Sequence, residues 1–430
     1  MMENTPVSVP YGNSELTARV PGEVRLLLAN HADPPKDQVE LVADALDHPT
    51  GSPPLADLAR GRKSAVILIS CRTRRTGSPV FLPEIVKRLN AAGIADSAIT
   101  VVTATGTHEN FRTQDAELLL GADIARRVRF EGHDCRTPDA LQFVGETPRG
   151  TRVLMSRRYL ESDLKIACGR VTYHYFAGFT AGRKTILPGV SSFDTVEQNH
   201  SMAVLFDGEP RINPDTRNGN LDTNPIHLDM LDAARMAPPG FTLCTVLNTR
   251  KQMTGVFGGD MEAAHLAAVD VVRRADAPVA PEPADWLVLS SGGAPSDVNT
   301  IQAIKALINT YHAVRKGGAI IFCAECAEGS PEWLLRATAL RDLRELQQRI
   351  GTREFRKGHN ALWIWELREH AHVIMVSALP QADVDRLGFR AAASLQEAVT
   401  LAESLTGAPR LVYSIPHGNL TVPNGGPASR

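Results

Sequence analysis

This sequence has no excess of either charge sign. Its 46 Lys and Arg face 48 Asp and Glu, for a formal net charge of −2. That excludes the electrostatic footprint of a nucleic-acid or anionic-membrane binder. It also has few cysteines, six scattered through 430 residues, which excludes a disulfide framework. No apolar run approaches the roughly 20 residues of a membrane span. Met1–Pro10 is polar and lacks the basic and apolar segments of a secretory signal. The expectation is a reduced, cytoplasmic protein. There is no internal repeat, no HExxH and no GxSxG. Cys323–Cys326 is a CxxC without a second pair, which argues against a zinc site, and a redox role is the weaker reading of it. Gly178–Thr185 (GFTAGRKT) has the wrong spacing for a phosphate loop.

What is present is an ordinary globular balance, 43% hydrophobic and 22% charged. Short apolar runs alternate with helical patterns. Ala65–Ser70, Ala98–Thr103, Leu164–Cys168 and Thr242–Leu247 read as strands. Phe81–Ala92, Gln114–Leu120 and Met261–Arg274 read as helices. This is the pattern of an α/β fold with mainly parallel sheets flanked by helices. Ala275–Ala284 (ADAPVAPEPA) is Pro- and Ala-rich and reads as a linker. After it the pattern restarts. Trp286–Ser290, Ala319–Cys323, His372–Val376 and Leu411–Ser414 read as strands, and Asn299–Arg315, Pro331–Ile350 and Leu395–Thr406 as helices. The expected division is a domain over 1–274, a linker over 275–284 and a domain over 285–430. The last strand and tail are left free to pack back on the first domain. Pro416–Arg430 is expected to be irregular.

Four segments carry candidate chemistry. Tyr173–Met202 (YHYFAGFTAGRKTILPGVSSFDTVEQNHSM) holds His174, Lys184 and His200, and its glycines and Pro188 predict mostly structured loop. Thr103–Asn110 (TATGTHEN) places His108 just past a strand, where open α/β sheets bind ligands. Ser70–Gly77 (SCRTRRTG) puts Arg72, Arg74 and Arg75 at another strand end, and guanidinium groups clamp carboxylates and phosphates. Gly292–Lys305 sets Gln302 and Lys305 on one helical face. Each segment alone also has a bland reading, as a structural histidine or a solvated strand end.

Taken together, HYFAGFTAGRKTILPG, TGTH, the downstream His200 and GGxPxDxN followed by Gln-Ala-x-Lys resemble the nickel-dependent lactate racemase family. The resemblance implies a racemase or epimerase of α-hydroxy acids with its active site in the inter-domain cleft. It implies reversible hydride transfer to a nickel-pincer nucleotide, a pyridinium 3,5-bisthiocarboxylic acid mononucleotide linked covalently to Lys184. It makes His200 the nickel ligand, and His108 and His174 the paired acid/base groups. Arg72, Thr73, Gly182 and Arg183 are implied as cofactor contacts, and Arg74, Arg75, Gln302 and Lys305 as substrate contacts. Cofactor-maturation proteins are implied as partners, with no nucleic acid and no membrane.

The sequence departs from the family at Cys71, where an Asp is usual, at the added Arg75, at Ile301 and at Ala181. These changes leave open a larger sugar acid epimerised at C2, or a dicarboxylate. A pincer-nucleotide carrier and a zinc hydrolase using His108, His174 and His200 are the alternatives from other classes.

Overall fold

Runs such as AVILI and ITVVT have no polar face to offer water, so their strands must be covered on both sides. In the computed structural model, which describes residues 4–29, 32–72, 74–108, 111–355 and 358–424, all five residues of Ala65–Ile69 and of Ile99–Thr103 are buried. The chain forms two compact units.

The first unit comprises residues 30–202 and 215–274. Its six-stranded sheet runs Met253–Gly259, Phe241–Leu247, Leu164–Arg170, Ala65–Ile69, Ile99–Thr103, Arg129–Gly132. Every neighbouring pair is parallel except Met253–Gly259 against Phe241–Leu247. One face is covered by Gln38–Asp47 and Ser78–Ala91, which bury Val42, Leu46, Phe81, Ile85 and Leu89 at helical spacing. Each such side chain contributes about 1.5–3 kcal/mol when fully buried. The other face packs on Met261–Ala275 through Ala268, Val269 and Val272.

Strand order explains where a ligand would sit. From Ala65–Ile69 the chain moves outward to Ile99–Thr103 and Arg129–Gly132, then returns to add Leu164–Arg170 on the opposite side. The carboxyl ends of Ala65–Ile69 and Leu164–Arg170 therefore flank a topological switch point, where open α/β sheets hold ligands.

The second unit comprises residues 1–29, 203–214 and 275–430. Its sheet runs Arg390–Ala392, His372–Val376, Val314–Cys323, Ala284–Ser290, Leu411–Ile415, Glu23–Leu26, all parallel. This differs from the expected division. The N-terminal hairpin, Thr5–Tyr11 with Ser14–Val20, buries Val7, Val9 and Val20 in the same core as Val288, Ile321 and Val399. Glu23–Leu26 then pairs with Leu411–Ile415, so the last strand closes the second unit instead of packing on the first. The presumed linker is partly zipped to the tail: Val422 N–H donates to Asp276 O at 3.0 Å, and Ala280 N–H to Asn424 O at 2.7 Å.

Two expected helices are shorter than their patterns. Thr300–Thr310 stops where Val314–Cys323 begins as a strand, so Val314 and Arg315 are extended. Pro331–Ile350 divides into Glu332–Thr338 and Leu343–Gly351, because the Asp342 side chain caps a new helix at Arg344 N–H. Among the described residues no helix is long and apolar enough to cross a membrane.

Candidate active site

Three loops leave the same edge of the first sheet. Past Leu164–Arg170 the chain makes the small hairpin Tyr173–His174 with Gly178–Phe179, then a 3-10 turn, Gly182–Thr185. The turn lies directly on the strand. A Cβ on Gly169 would stand 2.8 Å from that of Ala181, so only glycine permits the approach. Ala181 itself has φ 62° and ψ −167°, a conformation suited to glycine. Ala181→Gly should relieve about 1–3 kcal/mol of strain and forfeit part of it as chain entropy and a lost methyl contact. A net gain of up to about 1 kcal/mol is expected in denaturant titration; a loss of stability would show that the backbone here is not strained.

Within this loop the Lys184 Nζ lies 2.7 Å from His174 Nε2. Both side chains are buried, at 9% and 7% exposure. The Ala177 N–H donates to His174 Nδ1 at 3.4 Å. The contact holds the Lys184 amine against the imidazole. Phe176 wedges the site, its ring centroid 4.5 Å from His174 and 4.9 Å from His200, with Lys184 Nζ 5.0 Å above its face. The Phe176 carbonyl is fixed by Asn224 Nδ2 at 2.9 Å, and the Asn224 Oδ1 caps the helix Pro225–Met236.

The expected loop over Tyr173–Met202 ends as a helix, Phe193–Ser201, capped by Ser192 and carrying His200 in its last turn. His200 Nδ1 meets Asn199 Oδ1 at 3.1 Å.

His108 stands exposed on the loop after Ile99–Thr103. That loop is tied to the lysine loop, Gly106 N–H donating to Gly189 O at 3.0 Å. A Cβ on Gly106, at φ 59°, would press on Pro188 at 3.1 Å. The arginine loop leaves Ala65–Ile69 next door and is anchored where Thr245 Oγ1 donates to Thr76 O at 2.9 Å. Arg72 Nε lies 4.0 Å from Asp115 Oδ2. Arg74 lies near Tyr175, whose hydroxyl is pushed up by burial and drawn partly back by that guanidinium. Arg75 is exposed, and Thr73 lies outside the described residues. Lys251, which sequence reading missed, belongs with this group. Burial first, then Arg75 and Arg170, hold its ammonium below the ordinary lysine value. The positive field there suits an anion.

Arg183 and Gly182 face inward. Arg183 is 1% exposed and donates from Nη2 to Ala177 O at 2.7 Å and from Nη1 to Ala181 O at 3.3 Å. It braces the loop from beneath, which differs from the expected cofactor contact. Burial pulls its pKa down to about 9. Gly182, at φ 52°, leaves room for the His265 ring, which a Cβ would meet at 2.9 Å. Gln302 and Lys305 sit on Thr300–Thr310 of the second unit, Lys305 Nζ donating to Gln302 Oε1.

The buried charge on Arg183 has a pH consequence. His227 is held down to about 3 and His265 well below its ordinary value, in both cases by burial first and Arg183 second. In the unfolded chain both titrate near 6.5. Below that pH the unfolded state binds more protons, so stability is fully present above pH 6.5 and is lost as pH falls toward 3. Each ring should add a slope of up to about 1.4 kcal/mol per pH unit. Urea titrations at stepped pH should show His227→Gln flattening the dependence by roughly one such increment; an unchanged slope would remove His227 from the account.

Among the described residues no three His, Cys, Asp or Glu converge as metal ligands. A protein-only zinc centre on His108, His174 and His200 therefore has no support. A lone imidazole, His200, suits a metal whose other donors arrive with a cofactor.

Comparison with known proteins identifies the family. Models of the lactate racemase N-terminal and C-terminal domains match residues 11–212 and 279–422. Lactate racemase of Lactiplantibacillus plantarum is 32% identical over 424 residues, covering 96% of this chain and 98% of that one. Lactate racemase of Thermoanaerobacterium thermosaccharolyticum is 34% identical over 331 residues, 75% of each chain. The structure of the apoprotein of lactate racemase from the same organism superposes with a TM-score of 0.87 at 30% identity, covering 98% of this chain and 100% of that one. A crystal structure from Thermotoga maritima, at 16% identity and a TM-score of 0.68, shares the fold over 93% of this chain and 99% of that one. The chain belongs to the lactate racemase family of isomerases.

Proposed function

We propose that this protein interconverts the two enantiomers of lactate. The observation that carries the reading is the buried contact of Lys184 Nζ with His174 Nε2, set in a chain that matches lactate racemases along nearly all its length.

Inverting an α-hydroxy acid requires breaking the C2–H bond beside a carboxylate. Proton loss there would add negative charge next to an existing anion, whereas hydride loss leaves a planar keto acid open to return from either face. A nickel-pincer nucleotide, when bound, supplies a reversible acceptor for that hydride. The residues present fit such a group. Lys184 offers a nucleophilic amine for a covalent tether, and His200 offers an imidazole to nickel.

The chain's own side chains do the rest. His108 and His174 take the hydroxyl proton from one enantiomer each and return it, because the hydroxyl points differently in the two hands. Histidine titrates near neutrality and serves both directions. The cations at the end of Ala65–Ile69, Arg74 and Arg75 first, bind the carboxylate. Maturation proteins deliver the cofactor.

The added charge of Arg75, Arg170 and Lys251 favours a second reading, a substrate with another anionic or polar group, such as a dicarboxylate or a sugar acid epimerised at C2. Cofactor-loaded protein incubated with single enantiomers separates the two. Optical rotation of D-lactate should decay to zero. Persistent rotation with lactate, alongside inversion of a larger hydroxy acid, would replace the first reading with the second.

A further inference from the structure

Next to His200 lies a buried polar chain that the acid/base chemistry does not use. Asn199 and Asp229 are each fully buried. Asn199 Nδ2 lies 2.8 Å from Asp229 Oδ2 and 3.2 Å from the Ile226 carbonyl. Both neighbours only accept, so this end of the amide must be the NH2 group, and Oδ1 is the acceptor turned toward His200. At 3.1 Å from that oxygen, His200 Nδ1 must carry the ring proton.

Asp229 is held from its other side. Its Oδ1 accepts from Thr147 Oγ1 at 2.5 Å and its Oδ2 from Thr151 Oγ1 at 2.9 Å. The two threonines close one turn, Thr151 N–H donating to Thr147 Oγ1 at 3.1 Å. A carboxylate is costly to bury and persists only when hydrogen-bonded from several directions. Here it receives three side-chain donors, so neither it nor the amide can rotate without losing a bond.

We propose that Asp229 and Asn199 are positioning residues for His200. They lock its ring with the proton on Nδ1 and present the Nε2 lone pair to the metal. The proposal rests on His200 being the nickel ligand. The ring nitrogen that a metal takes is set by the hydrogen bond the other makes. An unrestrained imidazole would divide between tautomers, and only one of them offers Nε2.

The test begins without cofactor. Unloaded protein labelled with 15N-histidine is measured by long-range 1H–15N correlation, and His200 is assigned by its disappearance in His200→Gln. Wild-type protein should show the Nδ1–H tautomer at His200, and Asn199→Ala should move the population toward Nε2–H. An Nε2–H ring in wild type, a reading that needs no variant to fold, would overturn the proposal, as would an unchanged tautomer in Asn199→Ala. In loaded protein, Asn199→Ala should hold nickel about 10–100-fold less tightly against a chelator. Unaltered retention with a shifted tautomer would also overturn it. Full nickel retention by His200→Gln would instead overturn the ligand assignment beneath it, which keeps the two failures apart.

Discussion

Lys184→Ala is expected to purify as a folded protein with no covalently attached cofactor and with racemisation at the uncatalysed background. The fold should survive because the hydrogen bond to His174 is worth only about 1 kcal/mol. Activity should not, because the amine is the nucleophile that a tether requires, and no other side chain in this loop offers one. The neighbouring cation is no substitute. Arg183 points away from the site into two main-chain carbonyls. Lys184→Arg sharpens the test, since it keeps a long basic side chain and loses the nucleophile. Both variants should give the unmodified intact mass after exposure to maturation proteins. A cofactor-sized mass increment on either would place the tether elsewhere.

The second large effect concerns the paired histidines, which should fail in distinguishable ways. A positioned acid/base group contributes about 10²–10⁴-fold. His108→Ala should lower turnover by that factor while cofactor loading stays complete. It lies on an exposed loop that touches the lysine loop through main chain, and its side chain is not the one holding Lys184. His174→Ala should lower turnover as far and also slow loading, because His174 Nε2 is the partner that holds Lys184 Nζ in place. Intact mass against time gives loading, and the polarimetric rate per loaded molecule gives turnover. Normal turnover per loaded molecule in either variant would remove that histidine from the proton path.

Much of the fold was legible in the sequence. The strands Ala65–Ile69, Ile99–Thr103 and His372–Val376 and the helix Leu395–Thr406 follow from apolar runs and helical spacing that any short window contains. The loops bearing His108, His174 and Lys184 were legible too, since glycines and a strand end mark them locally. Less visible was the role of each residue inside the loop. Arg183 and Lys184 are adjacent cations in sequence. One is turned inward by the carbonyls of Ala177 and Ala181 and the other is kept at the site by His174. Lys251 was missed because nothing in its own neighbourhood marks a ligand group. Its significance comes from Arg75, on the loop after Ala65–Ile69, and Arg170, at the end of Leu164–Arg170, both far from it in sequence.

By itself the sequence determined which residue types were available and in what local frame: a lysine flanked by glycines, histidines past strand ends, and alternating strands and helices. Tertiary structure alone decided that the first 29 residues join the second unit, through pairing of Glu23–Leu26 with Leu411–Ile415. It alone joined Thr147, Thr151 and Asp229 to the amide that meets His200 Nδ1. The reason is physical. Periodicity and turn chemistry act over a few residues, whereas parallel strand pairing and buried hydrogen bonds join groups far apart in the chain and leave no local trace.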